Sequence, residues 1–510
     1  MKNSGDSRRF EPRWRWAEFA LVFGSLCGLI VGAASWFYTR GYILYYGDAQ
    51  AHLNISRSIL DSRTPGYDQL GTVWLPALHV LCLPLVGNPR LWSSGLAGTI
   101  PVAICFVAGG VFFYYAAREA YRSALAAAPI VLACFALNPN ILYLASIPMT
   151  EIVFFAGLAA LLFALLRFQR TQNGGLLVLG VLASWFMSLT RYDGWFLIPF
   201  AALMFAWFTN RRKIAVFIAF GALATLAPLY WMAHNWWETS NPLDFYNGPY
   251  SAAAIQGNHT YPGYHDWGLA IEYYAAAAKL CAGSALIVLG AVGFFCAAYR
   301  KALASMLFLL FTPVFYVWSV HSSKLPVRPP TLWPHDYYNT RYGTALIPLA
   351  AFAVGAIVLV LGPRARRIAP LLVLLAIAPW LLHPSRENWI SWRESQKNSV
   401  ARRMWTEQAA SYFAGHYQRG TGILAPFGDV TGIFCRARIP IAELIHEGNG
   451  PMWMLATSRP DLYHPAAWAV AQQNDFVSRA LNKTPVSYLT VQTIHAHEAP
   501  VLQIYTRQHR

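Results

Sequence analysis

The sequence predicts a polytopic α-helical membrane protein of about eleven transmembrane helices, with a small α/β domain at its C-terminal end. Three observations lead there. Of 510 residues, 56% are hydrophobic and only 12% are charged, about half the charged share usual in soluble proteins. Apolar runs near the ~20 residues needed to cross a bilayer recur through the first three-quarters of the chain. After Pro384 the composition becomes ordinary.

The expected spans fall near 17–38, 92–116, 124–142, 151–166, 175–190, 195–210, 214–233, 275–298, 303–320, 343–362 and 368–383. The first is too long for a signal-peptide core and reads as an uncleaved anchor. Residues 73–86 are apolar but short, and Pro76 and Pro84 interrupt them. They fit a re-entrant or interfacial hairpin better than a crossing.

Placement of charge supports this count. The net charge is +16, a balance that in a soluble protein would suggest nucleic acid. Here the cations precede the first span (Lys2, Arg8, Arg9, Arg13, Arg15) or sit at Arg118/Arg122, Arg167/Arg170, Arg211/Arg212/Lys213, Arg300/Lys301 and Arg364/Arg366/Arg367. Every cluster falls in a gap on the same side as the N-terminus, so the basicity encodes topology with a cytoplasmic N-terminus. No nucleic-acid partner is required.

The same parity gives the domain plan: a cytoplasmic segment 1–16, a membrane domain 17–384 with a first outer loop 39–91, and an extracytoplasmic domain 385–510. In that tail, 397–417 reads as an amphipathic helix, and 422–427 and 501–507 as strands. Six of seven cysteines lie in apolar segments, leaving Cys435 in the tail, so no disulfide framework is available. The connections on the cytoplasmic side are short and carry no glycine-rich phosphate loop. Chemistry is therefore expected on the outer face.

Ionisable residues at that boundary are costly to hold and default to function. Asp48 opens a helix-like stretch, 48–61, where an N-cap role is the alternative. His52 lies one turn on, and a structural hydrogen bond is the commoner use of such a residue. Thr150–Glu151 opens the fourth span as either a cap or a functional acid. Arg191 and Asp193, in Thr190-Arg191-Tyr192-Asp193-Gly194-Trp195, form either an interfacial pair or an anion site. Lys279 starts a span, where snorkelling explains it. Lys324 and Arg341 flank His335-Asp336-Tyr337-Tyr338-Asn339, and Arg341 precedes Tyr342. Arginine suits bidentate phosphate contacts and lysine a point charge.

These features resemble, over roughly 15–385, the GT-C-fold glycosyltransferases of the protein mannosyltransferase and aminoarabinose-transferase group (glycosyltransferase family 39-like). The residues carrying the likeness are Asp48 in the first outer loop, Trp74-Leu75-Pro76-Ala77-Leu78-His79, Asn138-Pro139 leading to Met149-Thr150-Glu151, and Tyr338-Asn339-Thr340-Arg341-Tyr342. The resemblance implies sugar transfer on the outer face from a polyprenyl-phosphate-linked donor to an acceptor hydroxyl on a glycan, lipid or protein. Asp48 would be the general base and Glu151 would stabilise an oxocarbenium-like, inverting transition state. Arg191, Arg341 and Lys324 would meet the departing phosphate, with His52, Asp193, His335, Asp336 and Tyr342 completing the substrate site. A divalent metal near Asp48 is the one cofactor implied, although Ala49 stands where the family often has a second acid. A lipid-linked glycan polymerase or ligase shares this outward site. A secondary transporter would instead place charges and repeat-related broken helices near the bilayer midplane.

Overall fold

A computed structural model describes residues 11–300, 302–483, 487–497 and 499–508. The N-terminal cations Lys2, Arg8 and Arg9 and the cation Lys301 lie outside the described residues.

The chain enters through helix α1 (Glu11–Thr39) and then forms three shorter helices, α2 (Gly47–Leu60), α3 (Ala77–Val86) and α4 (Pro89–Ser94), before the long α5 (Leu96–Ala120). Helices α6 (Ala127–Ala136), α7 (Pro139–Ala145), α8 (Thr150–Thr171), α9 (Gly174–Ser188), α10 (Asp193–Phe208) and α11 (Lys213–Thr239) follow. Two short turns, α12 (Asp244–Asn247) and α13 (Ala252–Gln256), precede α14 (Trp267–Ala282), α15 (Ser284–Tyr299) and α16 (Ala304–Ser322). A 3₁₀ segment, Thr340–Leu346, leads into α17 (Ile347–Leu361), which is followed by α18 (Ala365–Leu382).

All eleven expected apolar stretches are helical, but they are not eleven straight crossings. Among the described residues six helical runs have the length and composition to cross: Trp16–Thr39, α5, α8, α11, α16 and Thr340–Leu361. Two more are broken, α6/α7 by 68° and α14/α15 by 105°. Helices α9 and α10 and the apolar run Arg367–Leu382 are shorter, as is α3, the segment expected not to cross. The stretches expected as spans over 124–142 and 275–298 are thus each a pair of helices meeting at an angle.

Both breaks have local causes. Pro139 has no backbone N–H and drives Asn138 to an extended conformation (φ −70°, ψ 124°). Gly283 has φ 79°, which a side chain would resist. Freed backbone groups in a membrane must be satisfied inside the protein. Here Asn138 Nδ2 and Asn140 Nδ2 both donate to Cys281 O at 3.0 Å, so side chains at the first break satisfy a carbonyl at the second.

Close helix contacts rely on missing side chains, as expected where packing, and not exclusion of water, joins helices. A Cβ on Gly109 would lie 2.8 Å from Ala156 Cα, between α5 and α8. One on Gly293 would lie 1.9 Å from Ala353 O, between α15 and α17. Gly293→Ala is therefore expected to destabilise the protein by about 1–3 kcal/mol, the usual range for overpacking. Thermal unfolding in detergent micelles checks this; an unchanged midpoint would mean the two helices are not in that contact.

The tail begins with α19 (Ile390–His416) and continues with helices α20 (Thr431–Ala437), α21 (Pro451–Ser458) and α22 (Phe476–Lys483). Its five-stranded sheet has the order β2-β1-β3-β5-β4, from β1 (Ile423–Leu424), β2 (Leu444–Ile445), β3 (Trp468–Gln472), β4 (Tyr488–Ile494) and β5 (Leu502–Arg507). The first three pair in parallel and the last pairings are antiparallel. The strand expected over 422–427 shrinks to two residues. The helix expected from 397 starts seven positions earlier, at Ile390. Its added turns bury Trp392, Glu394 and Ser395 against the membrane domain, and this early start brings Glu394 to the site.

One carboxylate in the tail titrates unusually. Burial pushes Glu447 up from 4.5 to about 7, against the Phe427 N–H that it accepts at 2.6 Å; Asp475 adds to the rise. A raised carboxyl pKa means that the folded state holds the proton more tightly. Its stabilising contribution is complete below pH 4.5 and is lost as pH rises through 7. Glu447→Gln should therefore flatten the decline in melting temperature between pH 5 and 8. An identical slope in the variant would remove Glu447 as its cause.

Candidate active site

A cavity of about 680 Å³ opens between α2, α8, α10, α16 and the segment around Arg341. Arg341 is its centre. Nη2 lies 2.5 Å from Asp48 Oδ2, Nε 3.1 Å from Glu151 Oε1, and Nη1 2.9 Å from Glu394 Oε1. Glu394 Oε2 also accepts the Arg341 backbone N–H at 3.2 Å and the Thr340 hydroxyl. One guanidinium thus joins three carboxylates from three separate parts of the chain.

Arg191 builds the adjoining wall. Its Nη1 donates to Thr150 Oγ1 at 2.8 Å and lies 3.3 Å from Glu151 Oε1, while Nη2 donates to Tyr316 Oη at 2.8 Å. Asp193 Oδ1 is 3.3 Å from Arg191 Nε, and Tyr316 Oη donates to Asp193 Oδ2 at 2.9 Å. Glu151 Oε1 therefore bridges both guanidiniums, while its Oε2 has no hydrogen-bond partner among the described residues. The Tyr342 ring lies beside both, with centroid distances of 5.2 Å to Arg191 and 5.1 Å to Arg341.

Local structure explains how each side chain arrives. The N-cap of α2 is Tyr46, and Asp48 sits in the first turn with its carboxylate on Arg341. The N-cap alternative for Asp48 is therefore corrected. With 41% of its side chain exposed against 3% for Glu151 and 1% for Glu394, Asp48 is the acid open to a reacting molecule. Neither Thr150 nor Glu151 caps α8, whose N-cap is Met149 without a side-chain bond; both bind arginine.

His52 lines the cavity with Trp74, whose ring centroid is 4.4 Å away, and its Nδ1 is 2.9 Å from His79 Nε2. Burial, reinforced by Arg191 and Arg341, pushes its pKa down to about 3. It is therefore a neutral hydrogen-bonding group that ties α3 to α2.

Three sequence candidates do not reach the cavity wall. Lys324 Nζ donates to Gly257 O at 3.0 Å, His335 Nδ1 lies 3.1 Å from Pro330 O, and Asp336 pairs with Arg328 at 3.0 Å. A bridge between Arg328 and Tyr338 closes the intervening residues into a separate loop. Closeness to Arg341 in sequence misled here. Conversely, Glu394 and Tyr316 emerge only from the structure. Glu394 follows Arg393 in a stretch with no apolar period to mark it as buried, and Tyr316 sits unmarked within an apolar run.

A divalent metal near Asp48, which the resemblance leaves possible, would share that carboxylate with Arg341. Arg341 occupies the point where the carboxylates converge, and among the described residues no three His, Cys, Asp or Glu side chains are grouped to hold a metal.

No family model and no curated protein matches the sequence. Solved structures do match. ArnT from Cupriavidus metallidurans bound to undecaprenyl phosphate aligns over 93% of this chain and 97% of its own, with a TM-score of 0.58 and 14% identity. The chain shares the GT-C fold of ArnT. The apo state of ArnT aligns over the same shares with a TM-score of 0.55 and 14% identity. An oligosaccharyltransferase from Archaeoglobus fulgidus, in complex with Zn and sulfate, aligns over 87% of this chain and 68% of its own at 14% identity, with a TM-score of 0.42. With six helical runs long and apolar enough to cross, two bent pairs and a small C-terminal α/β unit among the described residues, this is an integral, multi-pass membrane protein.

Proposed function

We propose that the protein is a membrane glycosyltransferase that moves a sugar from a polyprenyl-phosphate donor to an acceptor hydroxyl. The observation that carries this reading is Arg341 held among Asp48, Glu151 and Glu394 at the wall of a 680 Å³ cavity. The alignment with ArnT bound to undecaprenyl phosphate supports the donor class.

In this reading Asp48 removes the proton of the acceptor hydroxyl as it attacks the anomeric carbon. Its Oδ2 is held by Arg341, which leaves Oδ1 for the acceptor. Direct displacement inverts the anomeric centre. Four carboxylates (Asp48, Glu151, Asp193, Glu394) face two guanidiniums (Arg191, Arg341), a formal balance of −2. That balance favours the positive charge developing on the sugar, and the partnerless oxygen of Glu151 is available to it. Arg191 and Arg341 meet the phosphate as the bond to it breaks, with Tyr342 and Trp74 as walls for sugar or isoprenoid. No step is assigned to a metal. The placement of cations supports a cytoplasmic N-terminus, with the site and tail on the outer side.

Reconstitution in proteoliposomes with labelled polyprenyl-phosphate sugars tests the reading. Release of free polyprenyl phosphate with label passing to a hydroxyl acceptor is expected, and products longer than one added sugar would favour a polymerase. Failure to bind undecaprenyl phosphate at all would overturn it.

A further inference from the structure

A second cavity, about 320 Å³, lies on the far side of α2 from the reaction cavity. Asp48 and His52 face one cavity and Gln50 the other. Its walls come from Tyr38 at the end of α1, Ser93 and Ser94 of α4, Arg402 and Arg403 of α19, and Arg436 of α20. Nothing in the proposed transfer uses it.

The chemistry of the wall is cationic and built. Three guanidiniums face one lining carboxylate, Glu407, a formal balance of +2. Asp429, 3.8 Å from Arg402 Nε, lowers that to +1 when counted. Arg402 is 8% exposed and locked, donating to Gln50 Oε1 at 2.7 Å and Tyr45 O at 2.5 Å. Arg403 stacks over the Tyr45 ring at 3.9 Å and donates to Tyr45 Oη and Ser399 Oγ at 3.0 and 3.1 Å. Among the described residues no carboxylate lies within ion-pair distance of Arg403. Arg436 and Glu407 are loosely paired at 3.4 Å with both side chains mostly exposed. Preorganised guanidiniums with hydroxyls beside them match the oxygens of a phosphate.

The position selects the source of that phosphate. The apolar crossing of α1 runs Trp16–Thr39 and only 17% of it is buried inside the protein, so the cavity at its Tyr38 end sits where lipid headgroups sit. Ile43 and Leu44 add apolar wall beside the arginines, and Tyr38 is the residue type that marks a membrane interface. We infer that this cavity binds the phosphate of an anionic phospholipid headgroup, a site separate from the donor site. There it would join α1, α19 and the tail through one charged group.

The test uses the full-length protein in nanodiscs of phosphatidylcholine alone or doped with phosphatidylglycerol, with inorganic phosphate as a third arm. Retained lipid is read by native mass spectrometry and stability by thermal unfolding. The expected result is retention of phosphatidylglycerol with a raised melting midpoint, both lost in Arg403→Gln/Arg436→Gln, whereas undecaprenyl phosphate binding in the reaction cavity is unchanged. These two arginines avoid the locked Arg402, and a wild-type melting midpoint in phosphatidylcholine shows that the variant is folded. Equal phosphatidylglycerol retention by wild type and variant would overturn the inference. So would stabilisation by inorganic phosphate with none from phosphatidylglycerol, which would mean a free anion is the ligand.

Discussion

Asp48→Asn is expected to slow sugar transfer by about 10²–10⁴-fold, the usual cost of losing a general base, with little change in melting temperature. The asparagine oxygen can still accept from Arg341 Nη2, which now lies 2.5 Å from Asp48 Oδ2, so the local structure has no reason to collapse. Asp48 is also the most exposed of the three acids on Arg341, which limits its share in stability. What disappears is the capacity to take a proton. Initial rates in proteoliposomes, alongside donor binding, separate these effects. A variant that turns over near the wild-type rate would remove Asp48 as the base.

Removing Arg341 should act on both fold and reaction. Glu394 is 1% exposed and Glu151 3% exposed, and Arg341→Ala leaves both beside an empty position. Stranding a buried charge in this way costs about 3–5 kcal/mol. Arg341→Lys restores a cation but not the fork that reaches Asp48, Glu151 and Glu394 together. Lysine is therefore expected to recover much of the melting temperature while transfer stays at least ~10²-fold down. Adding Glu394→Gln to Arg341→Ala removes one stranded charge, so the double variant should be less destabilised than the sum of the two single changes. Strict additivity would show that Glu394 and Arg341 are not energetically paired. Full transfer in Arg341→Lys would show that the reaction needs only a positive charge there.

The elements most legible in the sequence were those whose signal is local. Every expected apolar stretch is helical, and the short proline-interrupted segment 73–86 became α3, a ten-residue helix. Legibility failed where the backbone bends. Nothing in the hydropathy of 275–298 marks the 105° turn at Gly283, because one glycine scarcely alters a window average. It failed again at α19, whose first turns are buried although their residues read as polar. Some polar groups there find partners far away: Ser395 Oγ lies 2.7 Å from Tyr143 Oη, and the Ser391 N–H donates to Asn140 Oδ1 at 2.9 Å.

The site divides in the same way. Asp48, Glu151, Arg191 and Arg341 stood out because charge at the edge of an apolar helix is expensive wherever that helix packs. Lys324, His335 and Asp336 satisfied the same criterion and went elsewhere: a loop closed at Arg328 and Tyr338 carries His335 and Asp336 off, and Lys324 is held on Gly257 O. Composition and the spacing of apolar runs along the chain were sufficient to establish a membrane protein and its helical stretches. The union of Asp48 with Arg341, 293 positions apart, and the entry of Glu394 belong to the folded molecule. Such contacts depend on which helices break and where the chain returns, and a guanidinium takes as partners whichever carboxylates the packing delivers to it.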